Sequence, residues 1–142
     1  MSVIMIACVV LIALTTVVHY EALTGLNVRL LRLRVPVRSK LLVVIFAAFI
    51  AHAMEICLYG GAYYGLDRLG VGSLSGPGGP SVLSSLYFSA ETYSSVGFGD
   101  IVPLGPMRML AGVEALNGLL LLGWTASFTY LSMERFWRDD QR

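Results

Sequence analysis

The sequence predicts an all-α membrane protein with three transmembrane helices and a short re-entrant helix before the last of them. Its 142 residues are 56% hydrophobic and only 13% charged, a composition typical of membrane proteins. Three apolar stretches reach the roughly 20 residues that a helix needs to cross a bilayer core of about 30 Å. A fourth apolar stretch, at 82–93, is too short to cross and leads into a glycine-containing segment.

The first apolar stretch runs from Ser2 to about Tyr20. Signal peptides begin with basic residues ahead of their apolar run, and this stretch has no Lys or Arg before it. We therefore expect it to be retained as an N-terminal transmembrane helix within residues 1–24.

A basic segment at 25–40 follows the first helix. Basic residues collect on the cytoplasmic side of membrane proteins. The basic residues that set the orientation are Arg29, Arg32, Arg34, Arg38 and Lys40 in this segment, and Arg135, Arg138 and Arg142 near the C-terminus. They predict a cytoplasmic linker and C-terminus, with the N-terminus outside. Leucine and arginine mix at 26–37, which fits either an interfacial helix or a solvated loop.

The remainder of the chain forms one domain at 41–135. An outer helix at 41–65 is followed by a loop at 66–80 that is rich in Gly, Pro and Ser and is predicted to be irregular. Ser81 is a plausible N-cap for the short helix, which shares the segment 81–103 with an irregular loop. An inner helix at 106–135 and a short cytoplasmic tail at 136–142 complete the chain. Irregular backbone at membrane depth must be buried in protein or line a watery cavity, so this order outlines a pore.

The residues ETYSSVGFGDIVP at 91–103 resemble the pore loop of the potassium channel superfamily, whose pattern is T-x-T-V-G-[YF]-G-D. The resemblance covers 41–133 and is closest to bacterial channels with two helices around one pore loop, to which the first helix is an addition. It implies a homotetrameric, potassium-selective channel subunit in the bacterial inner membrane, and not an enzyme. Lipid is the expected surrounding. The near-zero net charge argues against a nucleic-acid partner.

The chemistry of potassium selection explains the glycines in this loop. An ion entering a narrow pore loses its water, so the wall must offer rings of oxygen atoms. Glycine tolerates the left-handed backbone that turns successive carbonyl groups to one side, and Gly97 and Gly99 occupy alternate positions. The resemblance implies a filter from Ser95 to Gly99. The expected potassium sites are the carbonyls of Ser95, Val96, Gly97 and Phe98 with the Ser95 hydroxyl, and no other cofactor is expected.

Two residues depart from the commonest form of the family's pattern. Ser95 keeps the hydroxyl of the usual threonine but lacks its β-methyl group, and Phe98 lacks the phenolic hydroxyl of the usual tyrosine. Neither change removes a backbone carbonyl. A weakly selective cation channel therefore stays as the alternative, because selectivity depends on the rigidity of the filter as well as on its oxygens.

A rival of another class is an intramembrane aspartyl protease, since Gly97 to Asp100 also fit its G-x-G-D signature. That enzyme needs a second aspartate facing the first within the membrane. Asp67, Asp139 and Asp140 all lie outside the predicted membrane interior, which disfavours the protease. Nothing in the sequence favours a non-conducting subunit.

Polar residues inside the apolar helices form two pairs at helical spacing. His52 and Glu55 share a face of the second helix, and Glu114 and Asn117 share a face of the third. Such residues form either a proton-sensitive gate or a hydrogen-bonded tie between helices. The tie is favoured because buried polar groups usually find partners.

Further support for the filter is implied by the resemblance. It places Glu91 at the end of the pore helix, beside Thr92 and near Asp100, so that one proton shared by the two carboxyl groups would brace the filter directly or through water. The alternative is that Glu91 caps local backbone. Gly118 and Gly123 on the inner helix are candidates for a gating hinge or for close helix packing. No motif in the sequence indicates a gating stimulus or identifies a regulatory partner.

The orientation gives the first testable prediction. In a chain with Cys8 and Cys57 replaced by alanine, Ser39→Cys in the basic linker should react with a membrane-impermeant thiol reagent only after the cells are opened. Ser75→Cys in the loop at 66–80 should react in intact cells and is the matched control. The reverse pattern would contradict the orientation drawn from the basic residues.

Overall fold

The computed structural model of the protein describes residues 1–32 and 36–140. Its elements, in chain order, are α1 (Ser2–Arg32), α2 (Val37–Arg68), β1 (Ser73–Ser75), α3 (Val82–Tyr93), β2 (Val102–Leu104) and α4 (Met107–Asp140). Residues 33–35 of the predicted basic linker, Arg34 among them, and residues 141–142 of the predicted tail lie outside the described residues.

The predicted fold class, an all-α membrane protein, is confirmed. Within the described part of the chain, three helical segments are long and apolar enough to span a membrane: Ser2–Leu30, Ser39–Arg68 and Met107–Arg138. Their outer faces are rich in large apolar side chains, such as Val9 on α1, Phe49 on α2 and Leu119 on α4. A surface of this kind is stable in a bilayer, because its apolar side chains contact lipid tails and not water.

Helix α1 is packed into the bundle along its whole length. Its buried residues recur every three or four positions and are Ile4, Cys8, Leu11, Thr15, His19, Leu23, Leu26 and Leu30. This spacing forms one continuous stripe, which contacts both α2 and α4. The helix also continues to Arg32, past residue 24 where the sequence analysis ended it and into the segment assigned to the linker. The first helix is therefore part of the folded bundle.

Helix α3 is short and lies against α2 and α4. It begins after Ser81, whose hydroxyl oxygen accepts a hydrogen bond from the Ser84 amide at 3.0 Å, which confirms the predicted N-cap. The helix ends at Tyr93, where the irregular loop begins. Its bounds coincide with the fourth apolar stretch of the sequence, since the cap fixes one end and the glycine-containing segment the other.

A two-stranded antiparallel sheet was not predicted. Strand β1 lies inside the loop at 66–80 that was expected to be irregular, and it pairs with β2 so that Leu74 faces Pro103. A β-carbon at Gly76 would come within 2.5 Å of the Asp100 carbonyl oxygen, so this glycine permits the close approach of the two segments. The pairing brings together the chain before α3 and the chain after its loop. The sheet thereby joins the two ends of the segment that contains α3 and the loop after it.

The inner-helix glycines differ in their surroundings. A β-carbon at Gly118 would overlap the carbonyl oxygen of Tyr93, whereas a β-carbon at Gly123 meets no atom within 4 Å. The α4 helix is continuous through both positions. Gly118 therefore allows close packing of α4 on the end of α3, and the hinge role predicted for the two glycines stays a prediction.

These surroundings predict opposite effects for two matched substitutions. Gly118→Ala should destabilise the protein by about 1 to 3 kcal/mol, because the added methyl group forces α4 away from α3. Gly123→Ala should be neutral or stabilising by up to about 1 kcal/mol, because alanine favours helix and meets no neighbour. Thermal unfolding of the purified proteins in one detergent measures both. Equal melting temperatures for the two variants would contradict the packing role of Gly118.

Candidate functional site

The loop that follows α3 has an alternating backbone. Ser95, Gly97 and Gly99 have positive φ angles of 58°, 55° and 81°. The sequence analysis anticipated the left-handed conformation at the two glycines but not at Ser95, where a side chain makes it less favourable. A left-handed residue at every second position is incompatible with an ordinary strand, whose successive carbonyl groups point to opposite sides.

The amides of this loop point back at the end of α3. The Ser95 amide donates to the carbonyl of Thr92 at 3.0 Å, and the amides of Val96 and Gly97 donate to the carbonyl of Glu91 at 3.0 and 3.2 Å. The Phe98 amide donates to the side-chain Oε2 of the same Glu91 at 3.1 Å. Four consecutive N–H groups, from residue 95 to residue 98, are thus turned toward one helix end.

The direction of the amides sets the direction of the carbonyls. In a trans peptide the N–H of one residue and the C=O of the residue before it point in opposite directions. The carbonyls of Ser95, Val96 and Gly97 consequently point away from α3. All residues from 94 to 100 are exposed in the single chain, including Phe98, which is 72% exposed. The loop therefore presents a row of backbone oxygens on an open surface.

Glu91 and Asp100 form no direct bridge, which was one of the two forms of pairing expected between them. The buried Glu91 carboxylate accepts the Phe98 amide, and the Asp100 carboxylate accepts a hydrogen bond from the Tyr87 hydroxyl at 3.2 Å. The physical reason is that the loop offers Glu91 an unpaired backbone donor, which a carboxylate accepts at no cost in charge repulsion. Bracing of the filter through a water between the two carboxyl groups stays a prediction. Thr92 contributes its carbonyl to the loop.

Glu114 and Asn117 each connect three helices. Glu114 on α4 accepts hydrogen bonds from Tyr63 of α2 at 2.6 Å and from Ser89 of α3 at 2.5 Å. One turn farther along α4, the Asn117 amide donates to Thr15 of α1 at 2.8 Å and to Tyr59 of α2 at 3.1 Å. Both side chains are buried. Their partners lie on other helices, as a tie between helices requires.

His52 and Glu55 belong to a larger cluster than the sequence indicated. Glu55 is fully buried, with His52 Nδ1 at 3.1 Å from its Oε2 and His19 Nδ1 of α1 at 2.9 Å from its Oε1. The hydroxyl of Tyr93, the last residue of α3, also donates to Oε2. Sequence reasoning missed His19. The available signal was that it is the one other histidine of the chain and sits in an apolar helix.

Comparison with known proteins shows which family the sequence belongs to. Residues 39–134 match the model of the family described as "Ion channel". The chain is 32% identical over 97 residues to the inward rectifier potassium channel Kirbac3.1 of Paramagnetospirillum magnetotacticum, which covers 67% of this chain and 33% of that relative. It is 32% identical over 63 residues to the potassium voltage-gated channel protein shk-1 of Caenorhabditis elegans, covering 44% of this chain and 12% of that protein.

The chain thus spans about a third of the first relative and about an eighth of the second. No solved structure gives a significant match.

The contact between Glu91 and Phe98 gives a testable prediction. Glu91→Ala removes the acceptor of the Phe98 amide, and leaving a buried donor without its partner costs about 1 to 3 kcal/mol. We expect hydrogen exchange at the Phe98 amide to accelerate at least tenfold in this variant. Glu91→Gln keeps an acceptor oxygen and should show a smaller acceleration. Unchanged exchange at Phe98 in Glu91→Ala would contradict the contact.

Proposed function

Because the chain belongs to the ion channel family, within the potassium channel pore-domain superfamily, we propose that it is the subunit of a homotetrameric channel that conducts K⁺ passively. Its filter runs from Ser95 to Gly99. The observation that carries this proposal is the row of four amides, from Ser95 to Phe98, turned toward α3. Ion channels are not enzymes, and the chain is not an enzyme.

The turned amides supply what a dehydrated potassium ion requires. An ion in a narrow pore needs a ring of oxygens at each step to replace its lost water. With the N–H groups bonded behind the loop, the carbonyls of Ser95, Val96 and Gly97 are available on the other side without a competing partner on α3. Those three carbonyls, the Phe98 carbonyl and the Ser95 hydroxyl are the proposed potassium ligands.

The proposal of four copies follows from the same geometry. One loop lines only one side of an axis, so a single chain supplies one part of each oxygen ring. The exposed apolar side chains of Val96 and Phe98 would then be covered where neighbouring loops meet.

Selectivity for potassium over sodium depends on how firmly the loop is held. The Phe98 amide is fixed by Glu91, and the end of α3 is fixed by the bond from Tyr93 to Glu55. These two contacts support a selective filter even though Ser95 lacks the β-methyl group of threonine. A weakly selective cation channel is the second candidate, favoured by that missing methyl group alone.

The orientation proposed for the channel has the N-terminus outside and the C-terminus in the cytoplasm, in the bacterial inner membrane. Basic groups from distant parts of the chain gather at one end of the bundle. Arg135 of α4 donates to Asn27 of α1 at 3.1 Å, and the Lys40 ammonium lies 5.7 Å from the centre of the Phe136 ring. This shared basic end supports a cytoplasmic location for it.

The filter assignment is tested by Gly97→Ala. No atom lies within 4 Å of a β-carbon built on Gly97, so the substitution acts through the backbone, which has a φ of 55°. A left-handed conformation costs a residue with a β-carbon about 1 to 2 kcal/mol. We expect the potassium flux into proteoliposomes to fall at least tenfold, with the tetramer retained on a sizing column.

The matched control is Gly112→Ala, which also meets no atom within 4 Å but lies in the regular helix α4. It should conduct as the original protein does. Normal flux through a tetrameric Gly97→Ala variant would contradict the assignment of the filter to the segment from Ser95 to Gly99. In planar bilayers with K⁺ on one side and Na⁺ on the other, a reversal potential near zero would favour the weakly selective alternative.

A further inference from the structure

Both histidines of the chain converge on one buried carboxylate. The sequence contains two histidines, His19 on α1 and His52 on α2, and their Nδ1 atoms lie 2.9 and 3.1 Å from the two oxygens of Glu55. The side chains of His19 and Glu55 are fully buried, and that of His52 is 12% exposed. The contact of His19 with Glu55 joins α1 to α2, whereas His52 and Glu55 lie on the same helix, so their contact does not itself join two helices.

The three side chains have the chemistry and the spacing of a metal site. Two imidazoles and one carboxylate form a recurrent ligand set for zinc. One ligand atom from each residue lies within 4.8 Å of the others. Ligand atoms at zinc distances in a tetrahedron are about 3.3 Å apart, so shifts of about 1 Å would close the site. The Tyr93 hydroxyl, 2.9 Å from His52 Nδ1, is placed to be a fourth ligand.

The far side of each imidazole is also arranged as metal sites require. A histidine that binds a metal through one ring nitrogen donates the N–H of the other to a nearby acceptor, which fixes the ring. Here the Nε2 atoms of His52 and His19 lie 2.9 and 3.2 Å from the same atom, Thr125 Oγ1 on α4. A hydroxyl oxygen has two lone pairs and can accept from both rings at once. Thr125 would therefore orient both ligands.

We propose that His19, His52 and Glu55 bind one divalent transition-metal ion of the zinc type. The Glu55 carboxylate offsets part of the charge of the ion in the membrane interior, where charges must be paired or coordinate metals. His52 also lines a cavity of about 410 Å³ shared with Tyr93, Ser94 and Thr125, so one edge of the site borders an open space. The bound ion would clamp α1 and α2 together beside the last residue of α3.

The first test measures metal content. The full chain, purified in detergent and stripped with a chelator, should take up one Zn²⁺ per chain after dialysis against the ion, and its melting temperature should rise. His19→Gln and His52→Gln keep an amide donor for Glu55, so they should fold and yet bind at least 100-fold more weakly. Glu114→Gln alters another fully buried carboxylate, which lies outside the proposed site, and should bind as the original protein does.

The second test uses cobalt and Thr125. Co²⁺ in place of zinc should give the intense visible absorption of a four-coordinate ion, and His19→Gln should abolish it. Thr125→Val removes the shared acceptor and should weaken zinc binding by 10- to 100-fold. A chain that takes up no zinc, or a His19→Gln variant that binds as tightly as the original, would overturn the proposal. Metal content does not depend on conduction, so that failure would leave the proposed channel untouched.

Discussion

The anchoring of four consecutive amides to the end of α3 is the interaction on which the proposed function depends. The last carbonyls of a helix have no partner within the helix. Here the carbonyls of Glu91 and Thr92 accept hydrogen bonds from the amides of the loop. The Glu91 side chain extends the same anchor by one residue, to Phe98. A single short helix thus accepts hydrogen bonds from the N–H groups of the loop and leaves the carbonyl oxygens on the opposite side of the loop free to bind an ion.

The anchor is useful only if α3 itself is held in place, and buried polar contacts hold it. Ser89 bonds to Glu114 on α4 near the middle of α3, and Tyr93 bonds to Glu55 on α2 at its end. Among the described residues, every buried side-chain nitrogen or oxygen has a hydrogen-bond partner. In an apolar surrounding an unpaired group is costly, so these contacts also fix which helix faces meet. Through Thr15 and His19, α1 takes part in the same set of contacts.

The sequence predicted the features with a local signal and missed those that depend on distant contacts. The lengths of the apolar stretches predicted the membrane helices. Ser81 and the glycines after Tyr93 predicted where α3 begins and ends, and the residues ETYSSVGFGD indicated the family. The pairing of β1 with β2 was missed because β1 is only three residues long and lies in a segment rich in Gly, Pro and Ser, which has the composition of a loop. His19 was missed because its partner Glu55 lies 36 positions away, and no periodicity connects two separate helices. For Glu91 the sequence left two alternatives, pairing with Asp100 or capping local backbone, and the Phe98 amide that its side chain accepts is identified only once the loop is folded.

The central claim is that four copies of the loop surround one axis with their carbonyls facing it. Electron cryo-microscopy of the purified chain in lipid nanodiscs and potassium chloride tests this claim most directly. The account predicts a fourfold assembly with ion density on the axis, level with the carbonyls of Ser95, Val96, Gly97 and Phe98. A monomer or dimer, or a tetramer whose 95–99 segments face away from the axis, would contradict it.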